Sequence, residues 1–226
     1  MLRRFFRKHE SYPGPLSADE FNTPITAFLD SRLAELDFVR PKQGIWVRQN
    51  CLSARPMIQL RHYKGAISAP VWGFALTYVP HFNNSYTRLS WHRTVKSARL
   101  DVFPFDEFDQ TQELTRFSTP DDHDAAVKTV LDAAVRSAQA FFASLRTTED
   151  LLPLFDRLRR DTVSDLGYWN YMNLPIAHAF TLRVTGDYAG GRSILDAYVQ
   201  RRNISDAVEG DLLNRYERAS ADPLLL

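Results

Sequence analysis

The chain has 226 residues, 44% of them apolar and 24% charged, so it can bury a sizeable core and lacks the composition of a disordered chain. The formal net charge of +1 weakens any case for nucleic acid built on bulk charge, and no stretch approaches the roughly 20 apolar residues of a membrane span. Cys51 is the sole cysteine; a lone thiol cannot form an internal disulfide, which predicts a reducing, cytoplasmic setting.

Residues 1–22 open with Met1-Leu2-Arg3-Arg4-Phe5-Phe6-Arg7-Lys8 and read as a basic arm with no apolar run of signal-peptide length behind it. Thr23-Pro24 predicts a helix start, a capping hydroxyl followed by proline in the first turn. Ile25, Phe28, Leu29, Leu33 and Leu36 then make one apolar stripe ending near Asp37. Pro41 and Gly44 predict a turn.

Five strands are predicted next: Gly44–Gln49, Met57–Lys64, Pro70–Val79, Thr87–Arg93 and Ala98–Phe103. Trp46 and Arg48 share one face of the first, Ile45 and Val47 the other. Ile58, Leu60 and His62 alternate with Gln59, Arg61 and Tyr63. Turn formers (Pro56, Gly65, Pro80 and Asn83-Asn84) separate the segments, and no helix intervenes, which predicts an antiparallel meander.

Residues 104–121 form an acidic connection. Thr119-Pro120-Asp121-Asp122 predicts a helix to about Leu145, and shorter helices follow at 148–160, from Asn173-Leu174-Pro175 to Thr185, at Arg192–Arg202 and at Asp206–Ala219. Gly190-Gly191 reads as a turn. Residues 176–202 resemble a single helical hairpin of the tetratricopeptide type; one repeat cannot bury its own face, so it is expected to pack on the rest of the chain. The fold class is therefore α+β: an N-terminal helix, an antiparallel sheet of about five strands, and C-terminal helices on one face. Residues 23–146 and 147–226 are read as parts of one compact unit.

Charge is unevenly spread. Residues 1–100 carry fifteen Lys and Arg against six Asp and Glu; residues 101–226 carry thirteen against twenty-one. From Phe38 to Leu100 there are ten bases and no acid, interleaved with Trp46, Trp72, Trp91, Tyr63, Tyr78 and Tyr86. Three readings follow: the basic sheet is compensated by the chain's own acidic helices, it binds an acidic protein, or it binds nucleic acid through phosphate contacts and stacking. Charges point away from the face that helices cover, so binding of an acidic protein partner by the open sheet face is the expectation, with Arg48, Arg61, Trp91, His92 and Arg93 as its residues. Nucleic acid is the alternative partner.

Catalytic signals are thin. Cys51 has no motif around it. Asp121-Asp122-His123-Asp124 sits where acids complement a helix dipole, so no metal is assigned to it. His62, His81 and His92 lie in or beside strands, and two of them, if neighbours in the sheet, could share an acid or a metal with Asp101. An enzyme reading would rest on His62, His92 and Asp101. Tyr168-Trp169-Asn170-Tyr171 reads as an aromatic plug between helices. There is no Walker loop, dinucleotide fingerprint, nucleophile elbow or zincin helix, and no cofactor is predicted.

Leu33-Ala34-Glu35-Leu36-Asp37-Phe38, then Trp46-Val47-Arg48, then Gln59-Leu60 resemble the bacterial DUF4304-like family over about residues 25–105, with Asp37 in place of its glycine. The resemblance implies a helix-plus-sheet fold and supplies no activity or catalytic residue. Small bacterial proteins of this kind often serve in toxin-immunity or defence loci, so neutralisation of a toxin is one form the expected partner binding can take.

Overall fold

The computed structural model describes residues 14–63, 67–104, 114–161, 168–169 and 173–225. The first thirteen residues of the basic arm, Lys64, residues 105–113 of the acidic connection, and Asn170-Tyr171 of the aromatic cluster lie outside them.

Helix α1 spans Ala18–Ala34, starting earlier than Thr23. Ser17 accepts from the Glu20 amide and Glu20 accepts from the Ser17 amide, a reciprocal cap that satisfies two otherwise orphaned N–H groups. That cap outweighs the pull of Thr23-Pro24, and Pro24 falls inside the helix. The last five residues assigned to the arm therefore belong to α1, with Phe21 buried.

Strand β1 (Phe38–Lys42) was not expected; it pairs with β2 (Ile45–Arg48) across a turn in which Gly44 takes φ +70°. Pro41 is tolerated because β1 is the sheet edge, and the register slips between Val39 and Lys42. Strands β3 (Ala54–Tyr63) and β4 (Ile67–Leu76) form the long hairpin, and β7 (Leu114–Thr115) pairs with the start of β4. The sheet is antiparallel and five-stranded, in the order β1-β2-β3-β4-β7.

The register Trp46↔Ile58↔Trp72 places these side chains with Leu60 and Phe74 on one face. Helices α1 and α2 (Pro120–Ser144) cover it; the Phe74 ring lies 5.3 Å from Phe142 and 5.7 Å from Phe141. Helix α2 is capped by Thr119 as the sequence predicts. Asp30 of α1 accepts from Trp46 Nε1 at 2.8 Å and pairs with Arg40 at 2.9 Å, fastening helix to sheet.

The other face carries Val47, Met57, Val71 and Ala75, a second apolar cluster closed by Ala98, Leu100 and Phe103. Residues 98–103 are thus not a full strand. They make one bridge, Val102 to Phe74, and fold onto the back of the sheet. The approach is so close that a Cβ on Gly73 would lie 2.1 Å from the Val102 carbonyl.

Residues Leu89–Trp91 (β6) likewise leave the expected meander. They pair with β5 (Pro80–Phe82) in a separate two-stranded ribbon. After α2, a single 3-10 turn (Thr148–Asp150) leads into α3 (Leu151–Asp161), then α4 (Leu174–Val184), α5 (Tyr188–Arg202) and α6 (Asp206–Glu217). Tyr78 bonds Thr181 of α4 at 3.0 Å, and Phe82 stacks on Tyr198 of α5, so these helices pack on the ribbon side of the sheet. Gly190 and Gly191 do not form the turn; they begin α5. A Cβ on Gly191 would meet Tyr216 Oη at 2.3 Å and the Ala179 carbonyl at 2.6 Å, so glycine here lets three helices touch. Among the described residues no helix is long and apolar enough to cross a membrane.

Candidate functional site: a polar pocket beside a basic ribbon

The β5–β6 ribbon has two unlike faces. Its register, Pro80↔Trp91, His81↔Ser90 and Phe82↔Leu89, puts His81 and Ser90 on one side, and His92 follows on that side by alternation. The chain then returns through 97–101 over the same side. Asp101 descends to the end of β4, where its Oδ2 accepts the Leu76 amide at 2.7 Å.

Asp101 is 1% exposed, and a bare carboxylate there would be costly. Besides the Leu76 amide, its Oδ1 lies 3.0 Å from His81 Nε2 and 3.5 Å from Asn173 Nδ2. Asn173 itself donates to the Pro80 carbonyl at 2.7 Å, so the loop before α4 locks onto the start of β5. The His81 contact is close, but it is off the line of a ring N–H, and Nε2 has no well-aligned hydrogen bond. It is an electrostatic contact and not a well-aligned hydrogen bond.

His92 meets His81 edge-on, ring centroids 4.7 Å apart. Its Nδ1 donates to the Ser97 carbonyl at 2.8 Å. Burial, then the neighbouring His81 and Arg99, holds its pKa below the usual imidazole value, so His92 is neutral at neutral pH.

Between ribbon and returning loop lies a cavity of about 220 Å³ bordered by His81, Phe82, Tyr86, Arg99, Asn173 and Tyr198. It adjoins a wider depression of about 770 Å³ that adds Thr87, Arg88, Ser90 and His92. The hairpin turn above it is held by Asn83, whose Oδ1 accepts the amides of Thr87 and Arg88. Tyr86 sits there at φ +56°, a conformation that costs an aromatic residue on the order of 1 kcal/mol and persists only where surroundings impose it.

The residues expected to form one binding face lie in different places. Arg48 is on the helix-covered side of the sheet, its Nε donating to the Leu36 carbonyl and its guanidinium 5.3 Å from the Phe38 ring. Arg61 is on the opposite side, 4.9 Å over the Phe103 ring. Trp91 and Arg93 do meet: the guanidinium stacks 4.1 Å above the indole, Arg215 approaches the same ring at 5.2 Å, and Arg93 donates to the Thr77 carbonyl. His92 turns to the other ribbon face. The expected open sheet face is covered across Val47, Met57, Val71 and Ala75 by 98–103, and the charged set divides because alternation puts Arg48 and Arg61 on opposite faces while Trp91 and Arg93 leave with the ribbon.

Of the residues named for an enzyme, His92 and Asp101 are brought into one neighbourhood, with His81 between them. His62 is exposed, bonds Ser68, and stands eight residues along β4 from Leu76, roughly 25 Å away. Among the described residues no group of three His, Cys, Asp or Glu could hold a metal ion. His81 stood beside His62 and His92 among the candidates to share Asp101, and the structure pairs it with His92. The signal for it was the Asn83-Asn84 turn: counting outward from that turn places His81 and His92 on one ribbon face.

Bases concentrate at this end. Arg55 donates to the Arg93 carbonyl, and Arg88, Arg93, Lys96 and Arg99 are exposed around the ribbon and its return loop. Among the described residues none of these five lies within ion-pair range of a carboxylate, whereas Arg40 is paired with Asp30.

Fold and site together define an α+β protein with a buried His–Asp pair beside a cationic two-stranded ribbon. Compared with known families, characterised proteins and solved structures, the chain matches none.

Proposed function

We propose that this is a non-catalytic binding protein that takes an acidic protein partner on the basic end built by the β5–β6 ribbon and residues 92–99. The observation that carries the reading is the set Arg55, Arg88, Arg93, Lys96 and Arg99, gathered without acidic partners among the described residues about the ribbon and its return loop, with Arg93 on the half-buried Trp91. An Arg-stacked tryptophan flanked by uncompensated cations suits a partner surface of Asp and Glu, because such charges steer encounter and an aromatic anchor supplies contact area. The DUF4304-like features add a toxin as one acidic partner of this kind.

The test is capture of tagged protein from its own cells with nuclease treatment, comparing wild type with the triple reversal Arg88→Glu, Arg93→Glu, Lys96→Glu and with Arg136→Glu on α2. The reading expects one stoichiometric, nuclease-resistant partner that the triple variant loses and Arg136→Glu retains. Retention by the triple variant sinks it; recovery that vanishes with nuclease transfers the surface to nucleic acid.

A further inference from the structure

We propose that the pocket between the ribbon and residues 97–101 is a binding site for a small phosphate monoester, the phosphate seated in the wider depression, which both Arg88 and Arg99 border, and the remainder in the inner cavity. The assignment concerns a small ligand of the pocket; it shares Arg88 and Arg99 with the partner reading but does not rest on it.

Size selects the class first. Pockets for drug-sized ligands run from about 300 Å³ upward, so the inner cavity of about 220 Å³ suits one compact organic group. Charge comes next. The two pocket cations, Arg88 and Arg99, lack carboxylate partners among the described residues, and the acid in the neighbourhood, Asp101, is already opposed by His81 and an amide. Two unopposed guanidiniums match a dianion better than a monoanion, which favours phosphate over carboxylate. Hydrogen bonding agrees: Thr87 and Ser90 bring hydroxyl donors to the wider depression. Phe82, Tyr86 and Tyr198 give the inner compartment an aromatic wall, while Ser90 and Thr87 make the outer one polar. Finally, Tyr86 is held in a strained conformation at this rim, and strain of this kind persists where a fixed side-chain position matters.

The experiment is calorimetric titration of the full chain in low-salt, phosphate-free buffer with inorganic phosphate, phenyl phosphate and benzoate. Phenyl phosphate is expected to bind with Kd below about 1 mM, roughly tenfold tighter than inorganic phosphate because it also meets the aromatic wall, and benzoate more weakly than either. Arg99→Gln and Arg88→Gln are each expected to weaken phenyl phosphate by roughly 10- to 100-fold, the range for losing a hydrogen bond to a charged group. Both side chains are exposed, so these variants keep the fold, and Arg136→Gln should bind as wild type. Equal affinity for phenyl phosphate and benzoate overturns the phosphate assignment. Inorganic phosphate binding as tightly as phenyl phosphate overturns the monoester. Unchanged affinity in both arginine variants, or no heat at roughly 10 mM ligand, overturns the site. Failure here leaves partner capture untouched, since the titration reads small-ligand binding by the wild-type chain and the capture reads a protein partner.

Discussion

His178 makes stability acid-sensitive by an amount the structure lets one work out. The ring is 2% exposed, stacked on Phe155 at 4.9 Å and 3°, and its Nδ1 accepts from the Tyr168 hydroxyl at 2.7 Å. Burial pushes its pKa down from 6.5 to about 4, with the exposed Asp156 carboxylate offsetting part of that penalty. As pH falls below 6.5 the unfolded chain takes up a proton that the folded chain refuses until about pH 4, so stability is present near neutrality and lost across that window. The whole window is worth about 3 kcal/mol, of which about 2 kcal/mol falls between pH 7 and pH 5. Urea unfolding at pH 7, 6 and 5 should show it as a midpoint shift of roughly 1 M. Other groups titrate too, so the control is His178→Gln, which keeps an acceptor for Tyr168 and removes the titration. Its stability is lower throughout, but its drop from pH 7 to pH 5 should be smaller than wild type by about 2 kcal/mol. Parallel drops in the two proteins would refute the reasoning.

Two glycines in the C-terminal helices should respond in opposite directions. Gly191→Ala drives a methyl into Tyr216 Oη and the Ala179 carbonyl, and should lower stability by about 1–3 kcal/mol. Gly210→Ala in α6 meets nothing within 4 Å and should raise it by about 0.5–1 kcal/mol; thermal melts of the pair decide. Ser17→Ala should cost about 1 kcal/mol by removing the reciprocal cap of α1, read as a shift in urea midpoint, while Thr23→Ala costs far less. Asp101→Asn should lose about 1–3 kcal/mol because the charge-assisted acceptor of the Leu76 amide goes, and that amide should exchange faster with solvent.

Alternation made most of the sheet readable: the face assignments of Trp46, Arg48, Ile58 and Arg61 agree with the register of β2, β3 and β4. What alternation cannot supply is which strand stands beside which. Leu89–Trp91 alternates like a sheet strand, yet it pairs across the Asn83-Asn84 turn with three residues that begin at a proline. Leu100 and Val102 alternate too, but Leu100 closes the back of the sheet while Val102 enters the main core, roles fixed by tertiary packing and not by local pattern. Helix ends were readable where capping was unambiguous, as at Thr119, and misread where two signals competed, as at Ser17 and Thr23. The site was half legible. His81, His92 and Asp101 were singled out by chemistry, but which two histidines meet depends on the ribbon register; Arg48 and Arg61 stand on opposite faces by alternation, and Arg93 leaves the sheet with the ribbon.

The stretch from Ser97 to Phe103 does two jobs at once. Its first residues wall the pocket, and its last ones seal the second apolar cluster through Leu100, Phe103 and the Phe74–Val102 bridge. An occupant of the pocket therefore acts as a rivet on the back of the sheet, because peeling the seal away would dismantle its own seat. Occupancy should slow amide exchange at Phe74 and Leu76 by a factor of about one plus ligand over Kd. These two amides, in the last three residues of β4, can then serve as gauges of whether a site at the molecule's edge is filled.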